Sequence, residues 1–553
     1  MGHLSLILKA DAIAALRSYM LEKQVSFYYS LHLTGLPVAL RLDAYAKKVA
    51  NLDSDGLSLL RHYEESKKDL TQLENWYELM RAYYHDLFDQ LRIRSRLQEG
   101  ICHTTTDIDL NYSKFVRSIF RALDNLSLLK KQLMPNPHCD QCDTILGDHE
   151  RAKLEGVSIE KLHVSTVDSD VTCNSFCKED LIVFEEISFC KHLLNRFTAS
   201  AFGSKEIALN LNNQSLIINL ETKTCVKTSL DSQNMFNELT FISRGVVCRC
   251  GGRPVIKYEL RDCLAFNDEN WKTRTKDLIA SGELDMSTKE ILLSAVNKMG
   301  PKPYSRTKGY GTKLPSNILV DSLADSAIHF LFYQCYEDKK DSFSEAHLIG
   351  KDLLTNHVAF AYYFLDPLLL KEISKELVHE NLSLDISNAK PPHFKAYGHI
   401  KSEDNTKMSK SARNVITWEQ LKQTFTDSHL RAYFYSRADS LEDEQFSKKT
   451  VEDSYRATVR NILRTFRSIA NLTPNAQVLA LEHLSVLKSY NIAKTCKLRA
   501  INEFVVNGFR IYLEKLEKTT NESPNSLLKQ QYEKIVFALY PSYETFILNS
   551  SSE

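Results

Sequence analysis

Two lysines three residues apart, set among small hydroxyl residues, carry the clearest chemical signal in this chain. The run is Lys407-Met408-Ser409-Lys410-Ser411, and Thr417 with Gln420 forms a capping-box pattern for a helix that follows it. A polyphosphate that transfers a group accumulates negative charge, and two lysines on a loop supply mobile positive charge that stabilises it. A generic Lys-x-x-Lys is usually a solvated basic loop. The complete pentapeptide, followed by Ala412-Arg413-Asn414, favours a phosphate-handling loop instead.

A second pattern is a row of arginines that would share one face of a helix. The four residues stand at i, i+4, i+8 and i+11: Arg456, Arg460, Arg464 and Arg467. A one-sided arginine row suits the phosphate backbone of a nucleic acid. A solvated helix face is the alternative interpretation.

Two close pairs of cysteines could together hold a metal ion. The pairs are Cys139-x-x-Cys142 and Cys248-x-Cys250. Four thiolates form the tetrahedral ligand set of structural Zn²⁺ sites. The second pair has a single intervening residue, which is less typical, so reduced free cysteines remain the alternative.

The composition describes the kind of protein that must position these residues. The chain has 553 residues, which corresponds to three or four domains at roughly 150 residues each. Hydrophobic residues make up 43% and charged residues 25%, values that exclude a disordered or fibrous chain. Lys plus Arg and Asp plus Glu number 70 each, so a nucleic-acid surface would have to be a local patch. The 12 irregularly spaced cysteines favour a reducing compartment, and without an apolar run of 18 residues we expect a cytoplasmic protein with no membrane partner.

The spacing of apolar residues divides the chain into a body, an insert and a helical end. It predicts helices in four stretches: residues 4–22, 57–92, 113–134 and 417–553. The third stretch would end before Pro135-Asn136-Pro137. Between 139 and 260, where eight of the 12 cysteines lie, β-type alternation occurs in Leu209–Leu220 and Val246–Leu260. We therefore expect an α/β body that is interrupted by a cysteine-bearing insert and followed by helices.

The lysine run and several further segments, taken in chain order, resemble the class I aminoacyl-tRNA synthetases. The detailed resemblance is to the leucyl-tRNA synthetase family of the archaeal and eukaryotic cytosolic type. It rests, besides the lysine run, on the segments Met1–Leu4, Leu31–Pro37, Gly309–Pro315, Asp321–Ile328, His347–His357, Val247–Gly251 and Tyr397–Ile400. His329 stands where that family usually has an aromatic residue.

The resemblance implies a fold and a domain organisation. The fold would be α/β, with a Rossmann-like parallel-sheet catalytic domain, a small β-containing insert and an all-α C-terminal helical bundle. Residues 1–138 and 259–416 would be the two halves of the catalytic domain. Residues 139–258 would be a connective insert, a reduced editing domain with a possible zinc knuckle, and residues 417–553 would bind tRNA.

The resemblance also implies roles for individual residues. Gly2 and His3 would contact ATP, and His3 would be catalytic. Gly350 and Asp352 would hold the ribose with His357 nearby. The loop residues Lys407, Met408, Ser409, Lys410 and Ser411 would bind the phosphates, with the two lysines catalytic. The amino-acid site would contain His32, Ser322 and Asp325, and the four arginines would meet the tRNA.

The implied activity is ATP-dependent activation of leucine and its transfer to tRNA(Leu), with Mg²⁺ as a cofactor and Zn²⁺ as a possible structural ion. The leucine carboxylate would attack the α-phosphate in line, without a protein nucleophile. One alternative is a catalytically degenerate synthetase-like protein that binds tRNA or another partner. A second alternative is another class I synthetase, such as the methionyl or cysteinyl enzyme. The sequence leaves the oligomeric state open.

Two departures from the family pattern lead to further expectations. Only 99 residues, His149 to Val247, separate Asp148 from Cys248, and they contain no Thr-x-Arg-Pro-Glu-Thr-like stretch, so we expect no editing of mischarged tRNA. The first motif lacks its leading histidine because the sequence begins at Met1. We expect that histidine, and the strand before it, to lie upstream in the native protein.

Overall fold

The computed structural model describes most of the body and part of the insert. The described residues are 2–22, 25–29, 69, 72–93, 96–99, 110–139, 141, 144–145, 154–158, 181–184, 187–190, 206–211, 214–219, 224–228, 238–242, 255–306, 309–315, 317–336, 346–386, 389–391, 393–406, 408, 416, 418–437, 441–489, 498–520 and 526–543. The chain forms two compact units. The first unit comprises Met1–Leu126, Phe266–Met299 and Gly309–Glu553, and the second comprises Ser127–Ala265 and Gly300–Lys308. The four-domain boundaries expected from the sequence stay a prediction.

Helices dominate the first unit. In chain order they are α1 (Gly2–Leu21), α2 (Leu73–Gln90), α3 (Leu110–Asn125), α4 (Glu269–Ser281), α5 (Met286–Lys298), α6 (Ser322–Tyr336), α7 (Ala359–Phe364), α8 (Pro367–His379), α9 (Trp418–Leu421), α10 (Asp427–Arg437), α11 (Lys448–Ala470), α12 (Pro474–Ser485), α13 (Leu498–Glu503), α14 (Phe509–Leu513) and α15 (Leu527–Leu539). A 3₁₀ turn (Lys351–Leu353) and a π-helical turn (Leu354–Val358) lead into α7.

Nineteen short strands occur among the described residues. They are β1 (Ser26–Tyr29), β2 (Arg96–Glu99), β3 (Leu129–Cys139), β4 (Thr144–Ile145), β5 (Leu154–Ser158), β6 (Leu181–Phe184), β7 (Ile187–Cys190), β8 (Glu206–Leu211), β9 (Gln214–Asn219), β10 (Thr224–Thr228), β11 (Glu238–Ile242), β12 (Val255–Leu264), β13 (Lys302–Pro303), β14 (Ser305–Arg306), β15 (Leu319–Val320), β16 (Ala346–Gly350), β17 (His393–Tyr397), β18 (Ile400–Lys401) and β19 (Glu444–Gln445).

The strand pairs that organise the first unit are parallel. They are β1 with β2, β16 with β17, and β18 with β19. Parallel neighbours need crossover connections, and helices supply them here. The fold class is therefore α/β, with a Rossmann-like part and a helical region, as the sequence predicted.

Helix α1 confirms the helix predicted over 4–22 and is surrounded by protein. Leu8, Ala12 and Leu16 are fully buried, and α1 packs against α10 and α15. The polar residues Lys9 and Asp11 on the same helix are buried as well. Because a buried charge requires a partner, the neighbours of α1 must supply oppositely charged groups to Lys9 and Asp11.

The second unit contains the antiparallel sheets of the insert. Strands β8, β9 and β10 form a meander, and β3 pairs with β12 from Leu129 opposite Leu264 to His138 opposite Val255. These strands confirm the β pattern predicted for the insert.

The helix predicted over 113–134 is wrong in its second half. Helix α3 ends at Asn125, Ser127 adopts a left-handed φ of 56°, and β3 begins at Leu129. Pro135 and Pro137, expected to mark a boundary, lie within β3. They occupy alternate positions, so the backbone nitrogens that lack N–H point to the same edge of the strand. Pairing with β12 over ten residues outweighs the helical spacing of this stretch.

The C-terminal region is helical, as predicted. Helix α11 begins with a capping box between Ser447 and Thr450. The predicted break near Leu472 is confirmed, because α11 ends at Ala470 and α12 begins at Pro474 with Thr473 as its N-cap. Thr417, the cap expected for the helix after the lysine run, lies outside the described residues, whereas the helix itself begins at Trp418.

Among the described helices, none combines the length and the apolar character needed to cross a bilayer.

Candidate active site

The carboxyl ends of the parallel strands β16 and β17 form the centre of the candidate site. Gly350 lies opposite Tyr397 at these ends. Asp352 lies two residues after Gly350, and His399 lies two residues after Tyr397. Asp352 Oδ1 lies 3.6 Å from His399 Nε2. A Cβ at position 350 would stand 2.6 Å from Asp352 Oδ1, so a larger residue there would displace that carboxylate. Ligands of open α/β sheets bind outside such strand ends, so Gly350 and Asp352 lie where a nucleotide is expected.

Asp443 connects three segments of this edge. Its carboxylate lies 2.6 Å from Lys351 Nζ and 3.1 Å from Lys401 Nζ. It also accepts a 2.9 Å hydrogen bond from the backbone N–H of His399. Desolvation raises the pKa of Asp443, but the hydrogen bonds from Lys351, the His399 amide and Lys401 outweigh it and hold the pKa below its ordinary value. Asp443 is therefore a fixed anion beside the proposed ribose loop.

The start of α1 is attached to the same edge through Lys9. Gly2 and His3, predicted to contact ATP, form the first turn of α1, where free backbone N–H groups favour anions. Lys9 lies farther along the helix, with Nζ 3.6 Å from Glu444 Oε1 and 4.2 Å from the centre of the Tyr397 ring. Burial raises the pKa of Glu444, and Lys9 and Arg437 oppose this rise. This buried pair holds α1 beside the end of β17.

A row of polar residues on α6 faces the turn that carries His357. Ser322, Ser326 and His329 recur at i, i+4 and i+7 and are all partly exposed. Ser326 Oγ lies 3.2 Å from His357 Nδ1, and the rings of His329 and His357 are 6.0 Å apart. The structure thus brings the predicted residues Ser322 and His357 onto facing elements, with Ser326 as the contact between them.

Three histidines near this contact are held neutral by burial. Desolvation lowers the pKa of His357 to about 3, with smaller contributions from His329 and His347. It also lowers the pKa of His347 to about 3, aided by His329. Burial likewise lowers the pKa of His329. At neutral pH these side chains are therefore uncharged donors and acceptors.

Asp325, predicted to lie near the amino-acid site, is fully buried on α6. Its carboxylate accepts a short hydrogen bond from the Tyr112 hydroxyl on α3. Tyr112 also packs edge-on against Phe332. The hydrogen bond between Asp325 and Tyr112 therefore joins α6 to α3.

Much of the lysine run lies outside the described residues. This applies to Lys407, Ser409, Lys410 and Ser411, and also to His32. Met408 is described, is partly buried and packs against the main hydrophobic core. The roles proposed for the lysines stay predictions.

The predicted arginine row lies on one face of α11. Arg456, Arg460, Arg464 and Arg467 are all exposed, and Val451, Thr458, Ile462, Thr465 and Ile469 are buried on the other side. Arg456 lies 3.4 Å from Glu452 one turn earlier. The row is therefore a basic surface, as its spacing predicted.

The cysteine pairs are described at one position only. Cys139 is a buried cysteine at the end of β3, whereas Cys142, Cys248 and Cys250 lie outside the described residues. Within the described part of the chain, no group of three or more His, Cys, Asp or Glu residues could hold a metal ion. The zinc site stays a prediction.

Sequence reasoning missed His399, Asp443 and the buried charges Lys9 and Asp11 as parts of this region. His399 lay in a segment noted only for its resemblance to the family. Lys9 and Asp11 within an apolar helix gave a signal, because charges inside an apolar stripe require buried partners.

Comparison with known proteins identifies similar sequences. The family model described as tRNA synthetases class I (M) matches residues 322–468. A cytoplasmic protein of Vairimorpha ceranae named as a probable leucine–tRNA ligase is 24% identical, over 98% of this chain and 75% of its own length. One from Enterocytozoon bieneusi with the same name is 22% identical, over 89% of this chain and 68% of its own length. Leucine–tRNA ligase 2 of Metallosphaera sedula is 26% identical, over 52% of this chain and 34% of its own length.

A similar solved structure is that of Mycobacterium tuberculosis methionyl-tRNA synthetase bound by methionyl-adenylate. It matches with a TM-score of 0.53 and 13% identity, over 99% of this chain and 90% of that one. At that identity the likeness indicates the fold.

Proposed function

We propose that this class I aminoacyl-tRNA synthetase, a homologue of leucine–tRNA ligases, activates leucine with ATP and transfers it to tRNA(Leu). The observation that carries the proposal is the alignment with a probable leucine–tRNA ligase over 98% of this chain. The names of two relatives, both described as cytoplasmic, favour the cytoplasm.

The proposed chemistry begins at the ends of β16 and β17. The ribose of ATP would lie against Gly350 and Asp352, and the phosphates would lie toward the first turn of α1. Lys407 and Lys410 would stabilise the charge that develops on the departing pyrophosphate. Mg²⁺ would accompany the phosphates of ATP.

The leucine would bind between α6 and the turn that carries His357, with its carboxylate directed at the α-phosphate. The neutral state of His357 suits this position, because an uncharged imidazole can hydrogen-bond without binding the carboxylate as a counter-ion. The tRNA would lie on the exposed arginine row of α11, which offers its phosphates four positive charges.

The test is amino-acid-dependent ATP–pyrophosphate exchange followed by charging of tRNA(Leu). We expect leucine to support both reactions and methionine and cysteine to support neither. Exchange with methionine or cysteine would favour another class I synthetase. Retained tRNA binding without exchange for any amino acid would favour a degenerate, tRNA-binding protein.

We further propose that the enzyme lacks post-transfer editing. An aliphatic pocket rejects a substrate that differs by one methylene by only ~1–3 kcal/mol, so editing requires a separate hydrolytic site. Within the insert, the 99 residues between Asp148 and Cys248 lack the threonine-rich motif. tRNA(Leu) mischarged with norvaline should be hydrolysed at the enzyme-free rate, and faster hydrolysis would contradict the proposal.

A further inference from the structure

A solvent-shielded nitrogen of His399 points to a ligand contact that the proposed function does not yet use. His399 Nε2 is buried and has no hydrogen-bond partner among the described residues. A buried nitrogen of this kind costs free energy unless something binds it. Its near neighbour is Asp352 Oδ1, at 3.6 Å, on a side chain that is 53% exposed. The shielded nitrogen thus adjoins a carboxylate that solvent can reach.

The strand register explains why these two side chains meet. Gly350 and Tyr397 are paired at the ends of neighbouring parallel strands. Asp352 and His399 each follow two residues after that pair, so the two chains present them at the same edge of the sheet. This is the edge at which open α/β sheets bind their ligands.

Asp443 determines which ring nitrogen of His399 carries the proton. Its Oδ1 lies 3.3 Å from His399 Nδ1 and also accepts the backbone N–H of His399. A carboxylate beside Nδ1 favours the tautomer with its proton on that nitrogen, which leaves Nε2 as an acceptor. The edge therefore presents two acceptors side by side, Nε2 of His399 and the carboxylate of Asp352.

Two adjacent acceptors suit a ligand with two adjacent donors. The vicinal hydroxyls of a ribose are such donors. A cation is disfavoured, because Lys351 and Lys401 already place two positive charges on the carboxylate of Asp443. We propose that His399, oriented by Asp443, is a second acceptor for the ribose hydroxyls of ATP and makes the site selective for ribonucleotides over deoxyribonucleotides. This inference rests on the proposed function only in taking ATP as the nucleotide.

The test is equilibrium binding of ATP, 2′-deoxy-ATP and 3′-deoxy-ATP to the full-length protein without leucine or tRNA. We expect the wild type to bind ATP more tightly than at least one deoxynucleotide. His399→Phe retains a flat ring but lacks the acceptor. It should weaken ATP binding about tenfold or more, as expected for loss of a hydrogen bond at a buried site, and bind that deoxynucleotide nearly as before.

Two further variants separate the roles of His399 and Asp443. His399→Gln retains an acceptor near Nε2 and should recover part of the discrimination. Asp443→Asn removes the anion that orients the ring, so it should reduce discrimination while His399 is still present. The control is Glu403→Gln, which makes the same change in an exposed carboxylate nearby and should bind all three nucleotides like the wild type.

The outcomes distinguish this inference from the proposed function. Equal weakening of all three nucleotides in a folded His399→Phe variant overturns the inference, as does unchanged discrimination in that variant. Loss of discrimination in Asp443→Asn alone, with His399→Phe unchanged, also overturns it. A wild type that binds no ATP overturns both proposals. ATP binding with the expected discrimination, but without leucine-dependent exchange, overturns the proposed function and leaves the ribose assignment in place.

Discussion

At the scale of the residue, aromatic packing explains why His347 on β16 stays neutral. The ring of His347 lies edge-on to Phe394, with ring centres 5.4 Å apart, and edge-on to Phe330, at 6.3 Å. A charged imidazole in this setting would lose its hydration without gaining a counter-ion. Protonation of His347 therefore opposes folding.

The first prediction follows from the sign of that linkage. The pKa of His347 falls from its ordinary value of 6.5 to about 3 in the folded protein, so between these values the unfolded chain binds more protons and acid destabilises the fold. The free energy of unfolding should fall when the pH is lowered from 7 to 5. Measured by urea unfolding, this fall should be about 2 kcal/mol smaller in His347→Phe than in the wild type. His379→Gln changes an exposed histidine on α8 and should behave like the wild type. A similar loss in the wild type and His347→Phe would contradict the burial argument.

The second prediction concerns a single lysine of the signature run. Lys410→Ala should lower leucine-dependent pyrophosphate exchange about a hundred- to a thousand-fold, because it removes positive charge at the developing pyrophosphate. Its melting temperature should match that of the wild type. Lys371→Ala, at an exposed position on α8, is the matched control and should leave exchange unchanged. Unaltered exchange in Lys410→Ala would refute the catalytic assignment.

At the scale of the element, the corner between β17 and β18 depends on a glycine. A Cβ at Gly398 would stand 1.7 Å from the carbonyl oxygen of Glu442, a distance that the backbone cannot accommodate. This close approach places Asp443 against His399 and Lys401. The corner therefore positions Asp443 at the ends of β16 and β17 through backbone contact.

The third prediction tests that corner. Gly398→Ala should lower the free energy of unfolding by ~1–3 kcal/mol through overpacking and should raise the KM for ATP more than the KM for leucine. Gly300→Ala is the control, because a Cβ there would meet no atom within 4 Å. A Gly398→Ala variant with wild-type stability and wild-type KM for ATP would show that the backbone at this corner can move to accommodate a Cβ.

The fourth prediction concerns the basic face of α11. Arg460→Glu and Arg464→Glu should each weaken tRNA binding, and the dependence of log Kd on log salt should fall by about 1 for each contact that is lost. Leucine activation without tRNA should be unchanged, because this face is exposed and distant in sequence from the strand ends. Arg81→Glu, a partly exposed arginine on α2, is the control for non-specific charge effects. Equal weakening by the control would favour a merely solvated face.

At the scale of the whole molecule, a buried ionic network joins the first helix to the C-terminal half of the chain. Arg431 on α10 is fully buried and contacts Asp11 on α1 at 2.8 Å and Asp427 at 3.3 Å. It also donates to the Tyr435 hydroxyl, which in turn donates to the carbonyl of Leu8. Helix α1 and the helices that lead to the arginine row are therefore fixed to one another.

The fifth prediction tests this network by removing one side of it. Asp11→Ala should lower the free energy of unfolding by about 3–5 kcal/mol, because it removes the nearer of the two carboxylates that neutralise the buried Arg431. The double variant Asp11→Ala with Arg431→Met should be more stable than the sum of the two single variants implies, since it also removes the buried positive charge that had lost its nearer partner. Additive losses in urea unfolding would indicate that the two residues are not coupled.

The sequence by itself determined the local features of this protein. The helical spacing of 4–22 and the arginine period on α11 are confirmed, because they depend on neighbours three or four residues apart. Gly350 and Asp352 were predicted as site residues from the contiguous segment His347–His357, and they lie at the end of β16.

Only the tertiary structure decided which distant residues meet. The pairing of β3 with β12 converted residues 129–134 from a predicted helix into a strand, because a ladder with a partner more than a hundred residues away outweighed local spacing. The contacts of Asp443 with His399, and of Asp11 with Arg431, join positions 44 and 420 residues apart. No local pattern encodes such pairs. Burial makes each charge depend on a partner that folding alone brings within reach.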